Sequence, residues 1–129
     1  MIMGRFAFFN THFEYKFVFG VQPSEDIQTF GGVASYETAQ NGYLSHTWNQ
    51  SETQTIETEL NLLLQWIGEE PEDFTAYEKT IQGTWELNRK LQGLYQEHEH
   101  EGIVARYILG CLIYHQLLYN DTLRVEYEP

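Results

Sequence analysis

Residues 103–118 form a run that is apolar nearly all round, and no other feature restricts the possible folds of this chain as strongly. Arg106, His115 and Gln116 are its only polar exceptions. Sixteen residues is long for a strand, so the run favours a buried helix. The alternative splits the run and makes residues 117–127 a hairpin. In either case the chain needs a core large enough to surround this segment.

Alternating apolar and polar residues predict strands near both ends of the chain. The alternation is strict over residues 13–21, and residues 4–9 form a second strand that is apolar on both sides. Residues 10–12 between them are enough for a hairpin turn, which predicts an antiparallel pair. Residues 43–48 suit a third strand after an Asn-Gly turn signal, and residues 123–127 alternate again.

Two amphipathic helices are predicted in the middle of the chain. Ser51 and Gln54 have the spacing of a capping box, and apolar residues then recur at helical intervals until Gly68. Residues 84–97 repeat the helical pattern. We therefore expect one α+β domain, residues 1–129, in which an antiparallel β-sheet with an N-terminal hairpin and a C-terminal strand packs against two or three helices.

The charge of the chain excludes several classes of partner. Seven Lys and Arg residues stand against 19 Asp and Glu residues, which gives a net charge of −12. Such a chain is not expected to bind DNA, RNA or an anionic membrane surface, and no segment has the roughly 20 apolar residues of a membrane-spanning helix. Cys111 is the only cysteine, so no intramolecular disulfide forms. A reducing cytoplasm fits this composition best.

Residues 97–101 read Glu-His-Glu-His-Glu and contain the donor types that zinc prefers. On a helix, however, residues two apart point to opposite sides, so His98 and His100 would not meet. We interpret the cluster as a solvated helix end and expect no metal. The chain also lacks nucleophile, phosphate-loop and dinucleotide motifs, and Cys111 lies in an apolar run, so neither catalysis nor a cofactor is expected.

Arg106 is the most informative of the few basic residues, because it lies within apolar sequence. Its guanidinium must pair with a buried carboxylate, reach solvent, or face a pocket for an anionic ligand. Asn88 is either a solvent-facing amide or a hydrogen-bonding group at a pocket. Phe74, Tyr77 and Trp85 either belong to the core or offer a stacking face to a base.

Several segments resemble the small phage proteins that defeat Thoeris immunity. The similarity covers FNTHFEYKF (9–17), FGVQPSEDI (19–27), FGG (30–32), ARYILG (105–110) and LRVEYEP (123–129). The resemblance implies an α+β sponge that binds a cyclic ADP-ribose isomer, the Thoeris messenger, and holds it without cleaving it. It also implies a homo-oligomer, a dimer or a hexamer, with cyclic oligonucleotides as possible further ligands. Such a protein would act in the cytoplasm of the infected bacterial host.

The resemblance further implies a pocket that combines an aromatic face for adenine with Asn and Arg for ribose and phosphate. Arg106 is the matching arginine within the similar segments, and Asn88 suits the amide by its approximate spacing. The candidate ligand-binding residues are therefore Arg106, Asn88, Phe74, Tyr77, Trp85 and Arg124.

One alternative comes from a different class of protein. Residues 52–101 carry 3 basic and 12 acidic side chains, a balance of 3 − 12 = −9. An acidic surface of this kind could mimic DNA and block a nucleic-acid-binding enzyme, or inhibit another protein. The same acids fit an ordinary solvated face equally well.

Overall fold

One antiparallel sheet organises the computed structural model, which describes residues 5–35, 42–96 and 100–129. Its strand order is β2-β1-β5-β4-β3, so the C-terminal strand lies in the centre, between the N-terminal hairpin and the β3–β4 pair. The described strands are β1 (Phe6–Phe9), β2 (Glu14–Lys16), β3 (Val33–Ser35), β4 (Leu44–Asn49) and β5 (Thr122–Tyr127).

The N-terminal hairpin is confirmed, but the strand predicted over residues 13–21 is wrong beyond Lys16. The carbonyl of Val18 accepts hydrogen bonds from the backbone N–H groups of Val21 (3.1 Å) and Gln22 (2.9 Å). This turn includes Gly20, whose positive φ of 75° suits glycine. The turn takes the chain away from the sheet and leaves the Phe19 side chain exposed.

Three α-helices are described: α1 (Thr53–Ile67), α2 (Ile81–Gln96) and α3 (Glu101–Leu117). A three-residue 3₁₀ turn precedes α1, and its capping box is formed by Asn49 and Glu52 rather than by the predicted Ser51 and Gln54. The predicted end of α1 is confirmed, because Gly68 adopts the left-handed conformation that ends many helices.

The apolar run forms α3, as the helical interpretation predicted, and the alternative hairpin over residues 117–127 is wrong. This helix is buried nearly all round because α1, α2 and β5 all pack against it. Its Gly110 is required by packing, since an added Cβ atom would lie 2.4 Å from the Phe30 ring. The buried apolar residues of both chain ends and of the helices form one cluster.

The segment after the hairpin forms regular structure that the sequence pattern did not predict. A 3₁₀ helix spans Ser24–Phe30, with Asp26 and Ile27 among its buried residues. Edge strand β3, which the sequence pattern did not predict, follows Gly31 and Gly32. The α+β class with its antiparallel sheet is confirmed, and no described helix is long and apolar enough to cross a membrane.

Candidate functional site

Arg106 lies on the first half of α3 and forms an ion pair with a buried carboxylate. Its Nε donates to Oδ1 of Asp26 at 2.9 Å. The Asp26 side chain is 2% exposed, whereas that of Arg106 is 40% exposed. The guanidinium is thus anchored from beneath by Asp26 while its outer part reaches solvent. The ion pair and the solvent contact, two of the three alternatives drawn from the sequence, are both present.

A network of buried polar groups supports the Asp26 segment. The Tyr15 hydroxyl donates to Oε1 of Gln22 at 2.7 Å, and Nε2 of Gln22 donates to the Ala105 carbonyl at 3.2 Å. The Arg5 guanidinium donates to Oγ of Ser24 and to the Gln22 carbonyl. These bonds tie the start of the 3₁₀ helix to both β1 and α3, so the carboxylate beneath Arg106 has a fixed position.

The electrostatic state of Asp26 follows from two opposing effects. Burial raises the pKa of Asp26, while the charge and hydrogen bond of Arg106 and, less strongly, the Gln22 side chain lower it to a smaller extent, so the net direction is upward. Oδ2 of Asp26 is buried and has no hydrogen-bond partner among the described residues. Arg106 is therefore the main group that favours the ionised form of this buried carboxylate.

Arg106 also lines a cavity of about 590 Å³ at the start of α3, which we call the Arg106 cavity. Among the described residues, none bonds to the terminal nitrogens of Arg106. These donors form the planar fork that matches a phosphate or carboxylate group. The other lining residues are Gly20, Val21, Pro23, His100, Glu101, Gly102 and Ile103.

Trp85 and Asn88 share a second cavity of about 520 Å³, which we call the Trp85 cavity. The Trp85 ring packs against Phe13 with centroids 4.4 Å apart, and Oδ1 of Asn88 accepts from Gln92 at 3.2 Å. Phe19, whose side chain is 62% exposed, lines the same cavity. Because Gly20 lines the Arg106 cavity, consecutive residues contribute to the two cavities.

The other candidate residues lie elsewhere. Phe74 packs against Tyr114 at a centroid distance of 4.6 Å, beside a smaller cavity. The Tyr77 ring contacts His115 edge to face, at a centroid distance of 6.4 Å. Arg124 projects from β5, where it pairs with Glu126 at 3.3 Å. The structure thus brings Trp85 and Asn88 together but does not gather the six candidates around one pocket.

Sequence reasoning missed a buried hydroxyl–imidazole contact. Oγ1 of Thr84 lies 2.7 Å from Nδ1 of His115 and 2.8 Å from the Tyr119 hydroxyl. Thr84 and His115 are both fully buried, so no substrate reaches them, and burial lowers the pKa of His115. The only sequence signal was a histidine within the apolar run. We interpret the contact as part of the core.

The structure describes the environment of Cys111 but only part of the Glu-His cluster. Residues 97–99 of the Glu-His cluster lie outside the described residues, and no group of three potential metal ligands occurs in the part of the chain that the structure describes. Cys111 is fully buried, as predicted, and burial raises the pKa of its thiol. A thiolate nucleophile is therefore disfavoured at this position.

No protein family, curated protein or solved structure matches this chain. Any assignment of function therefore depends on the geometry of the cavities and on the chemistry of the residues that line them.

Proposed function

We propose that this protein binds a cyclic ADP-ribose isomer and holds it without cleaving it, and so inhibits Thoeris-type antiviral defence. The observation that carries the proposal is the anchored guanidinium of Arg106. Asp26 holds its Nε, and the remaining donors are available to a ligand in the Arg106 cavity. A pyrophosphate offers the acceptor oxygens that this fork of donors matches.

The local charge is compatible with an anionic ligand despite the net charge of −12. Exposed charges more than about 8 Å apart are largely screened at physiological salt. A charge-assisted hydrogen bond from arginine contributes about 1.5–3 kcal/mol, so a short-range contact outweighs the distant acids. Glu101 also lines the cavity, and its carboxylate repels a phosphate group. We therefore place the phosphates directly on Arg106.

The neighbouring Trp85 cavity supports the second half of the proposal. It presents an indole and an exposed phenyl ring, from Trp85 and Phe19, beside the amide of Asn88. Stacking of a base on an aromatic ring contributes about 1–3 kcal/mol. We therefore assign the adenine to this cavity and the phosphates to the Arg106 cavity. The bound ligand would extend from one cavity to the other across residues 19–20.

The proposal assigns no bond cleavage, because no Ser, Thr or Cys side chain lines either cavity in the described part of the chain, although His100 and Glu101 offer basic groups beside Arg106. The buried Thr84–His115 contact is closed to solvent, and Cys111 is a buried thiol. The described residues that line the two cavities provide aromatic, amide, carboxylate and cationic groups suited to binding. Storage of the intact ligand is the function that these groups support best.

Isothermal titration calorimetry with cyclic ADP-ribose tests this function. Arg106→Ala should weaken binding by about 2 kcal/mol, roughly thirtyfold. Arg106→Lys keeps the charge but loses the planar fork, so its affinity should lie between those of the wild type and Arg106→Ala. Arg89→Ala is the matched control, because Arg89 is exposed on α2 and lines neither cavity. Unchanged affinity in Arg106→Ala would remove the main support for the proposal.

A further inference from the structure

A third cavity, of about 180 Å³, lies between α1 and α3 under the segment that follows α1, and it shares no lining residue with the Arg106 cavity. We call it the Glu57 cavity. Leu60 and Leu64 are one helical turn apart on α1 and provide an apolar side. The remaining lining residues are polar or aromatic, with one proline: Glu57, Asn61, Pro71, Glu72, Phe74, Tyr107 and Tyr114.

Aromatic rings make up much of its wall. Phe74 and Tyr114 pack at a centroid distance of 4.6 Å with their planes 52° apart. Tyr107 and Tyr114 are seven residues apart on α3, which places both on the side of the helix that borders the cavity. The faces of such rings carry negative electrostatic potential and attract cations.

Two carboxylates add negative charge, and they differ in their partners. Glu72, whose side chain is only 9% exposed, pairs through Oε1 with Nζ of Lys90 at 2.7 Å. Glu57 stands at the exposed rim and accepts a hydrogen bond from the neutral Tyr114 hydroxyl. Burial, followed by this contact with Glu57, raises the pKa of Tyr114 to about 12, so the hydroxyl stays protonated. Lys90 therefore neutralises Glu72, while the charge of Glu57 has no cationic partner among the described residues.

We propose that the Glu57 cavity binds a small organic ammonium ion, with its charge beside Glu57 and its alkyl groups against the aromatic wall. None of the described residues that line the cavity is basic. Aromatic walls are the common means by which proteins recognise alkylated ammonium groups. A water molecule occupies about 30 Å³, so 180 Å³ suits a ligand of about six non-hydrogen atoms.

The lining also argues against the two simpler occupants. A hard divalent cation needs several oxygen ligands at short distance, and among the described residues no group of three His, Cys, Asp or Glu side chains is placed to hold one. A neutral apolar molecule would contact the rings but gain nothing from the charge of Glu57. An organic cation satisfies both the rings and the carboxylate, and this inference does not depend on the proposed nucleotide site.

Choline and its neutral isostere 3,3-dimethylbutan-1-ol form a matched pair of probes for the wild-type protein, because they differ mainly in charge. Ligand-observed NMR should show saturable binding of choline and at least about fivefold weaker binding of the neutral alcohol. Equal binding of the two would show a merely apolar cavity and overturn the proposal. Absence of choline binding would overturn it as well.

Variants then locate the site. Glu57→Gln and Phe74→Leu should each weaken choline binding about fivefold or more, whereas Glu59→Gln, on the same helix but outside the cavity lining, should leave it within about twofold. Equal weakening by Glu57→Gln and Glu59→Gln would indicate a general effect of surface charge and contradict the assignment. Should a variant lose its cooperative melting transition, the comparison of the two probes on the wild type still decides the question.

Discussion

The ion pair between Asp26 and Arg106 allows a quantitative test of how the Arg106 cavity is held. The Asp26 side chain is 2% exposed. In Arg106→Ala its buried carboxylate should lose its cationic partner. Removal of one partner from a fully buried pair costs about 3–5 kcal/mol, whereas exposed pairs contribute about 0–1 kcal/mol. Because the Arg106 side chain is 40% exposed, water screens the pair, and we discount the cost to about 2 kcal/mol.

The stability lost in Arg106→Ala should depend on pH, because Asp26 can be protonated. The pKa of Asp26 already lies above the ordinary value of 3.8 because burial outweighs the effect of Arg106, and the variant loses this guanidinium, the main group that lowers the pKa. The folded variant should therefore take up a proton at Asp26 at higher pH than the wild type does. The stability deficit of Arg106→Ala should be full at neutral pH, shrink as Asp26 becomes protonated, and be small near about pH 4.

Urea denaturation of a double-mutant cycle measures this effect directly. The four proteins are the wild type, Arg106→Ala, Asp26→Asn and the double variant, each at neutral pH and near about pH 4. In the Asp26→Asn background the loss of Arg106 should cost less than about 1 kcal/mol, because no buried charge remains. A deficit that is equal at both pH values, or a coupling energy near zero, would refute the reasoning.

Three further predictions concern the core and the surface. Cys111 should resist alkylation in the native protein and react only on unfolding, because its thiol is fully buried with a raised pKa; rapid native labelling with iodoacetamide would contradict this. Gly110→Ala should lower the free energy of unfolding by about 1–3 kcal/mol, since its Cβ would overlap the Phe30 ring; an unchanged urea midpoint would count against the packing described. The chain should be a homo-oligomer that covers exposed apolar side chains such as Trp66, and light scattering that gives a stable 15.2 kDa monomer would oppose this.

The parts of the fold with long, uniform patterns could be predicted from sequence. The run over residues 103–118 is apolar nearly all round, so it predicts a helix that other elements surround. The structure confirms this, because most residues of α3 are buried. The period-two pattern of residues 13–21 failed because it records which side chains face inward and does not record backbone hydrogen bonds. Phe13, Tyr15 and Phe17 are buried as the alternation requires, although the strand ends at Lys16.

The candidate site was harder to predict because the residues that form it are far apart in the sequence. The chemistry of Arg106 required a carboxylate or a pocket, but nothing local identified Asp26, which lies 80 positions away. The capping box was assigned to the wrong pair for a different reason, since Asn49 and Glu52, which cap the 3₁₀ turn before α1, have the same spacing as Ser51 and Gln54. Only the three-dimensional arrangement distinguishes such alternatives.

Recovery of the bound ligand tests the proposed function most directly. The purified protein is incubated with cyclic ADP-ribose, freed of excess ligand by gel filtration, denatured by heat and analysed by chromatography, with Arg106→Ala treated in parallel. We expect the wild type to release the intact cyclic compound and the variant to release much less. Release of a cleaved product, or equal recovery from both proteins, would contradict the proposed function.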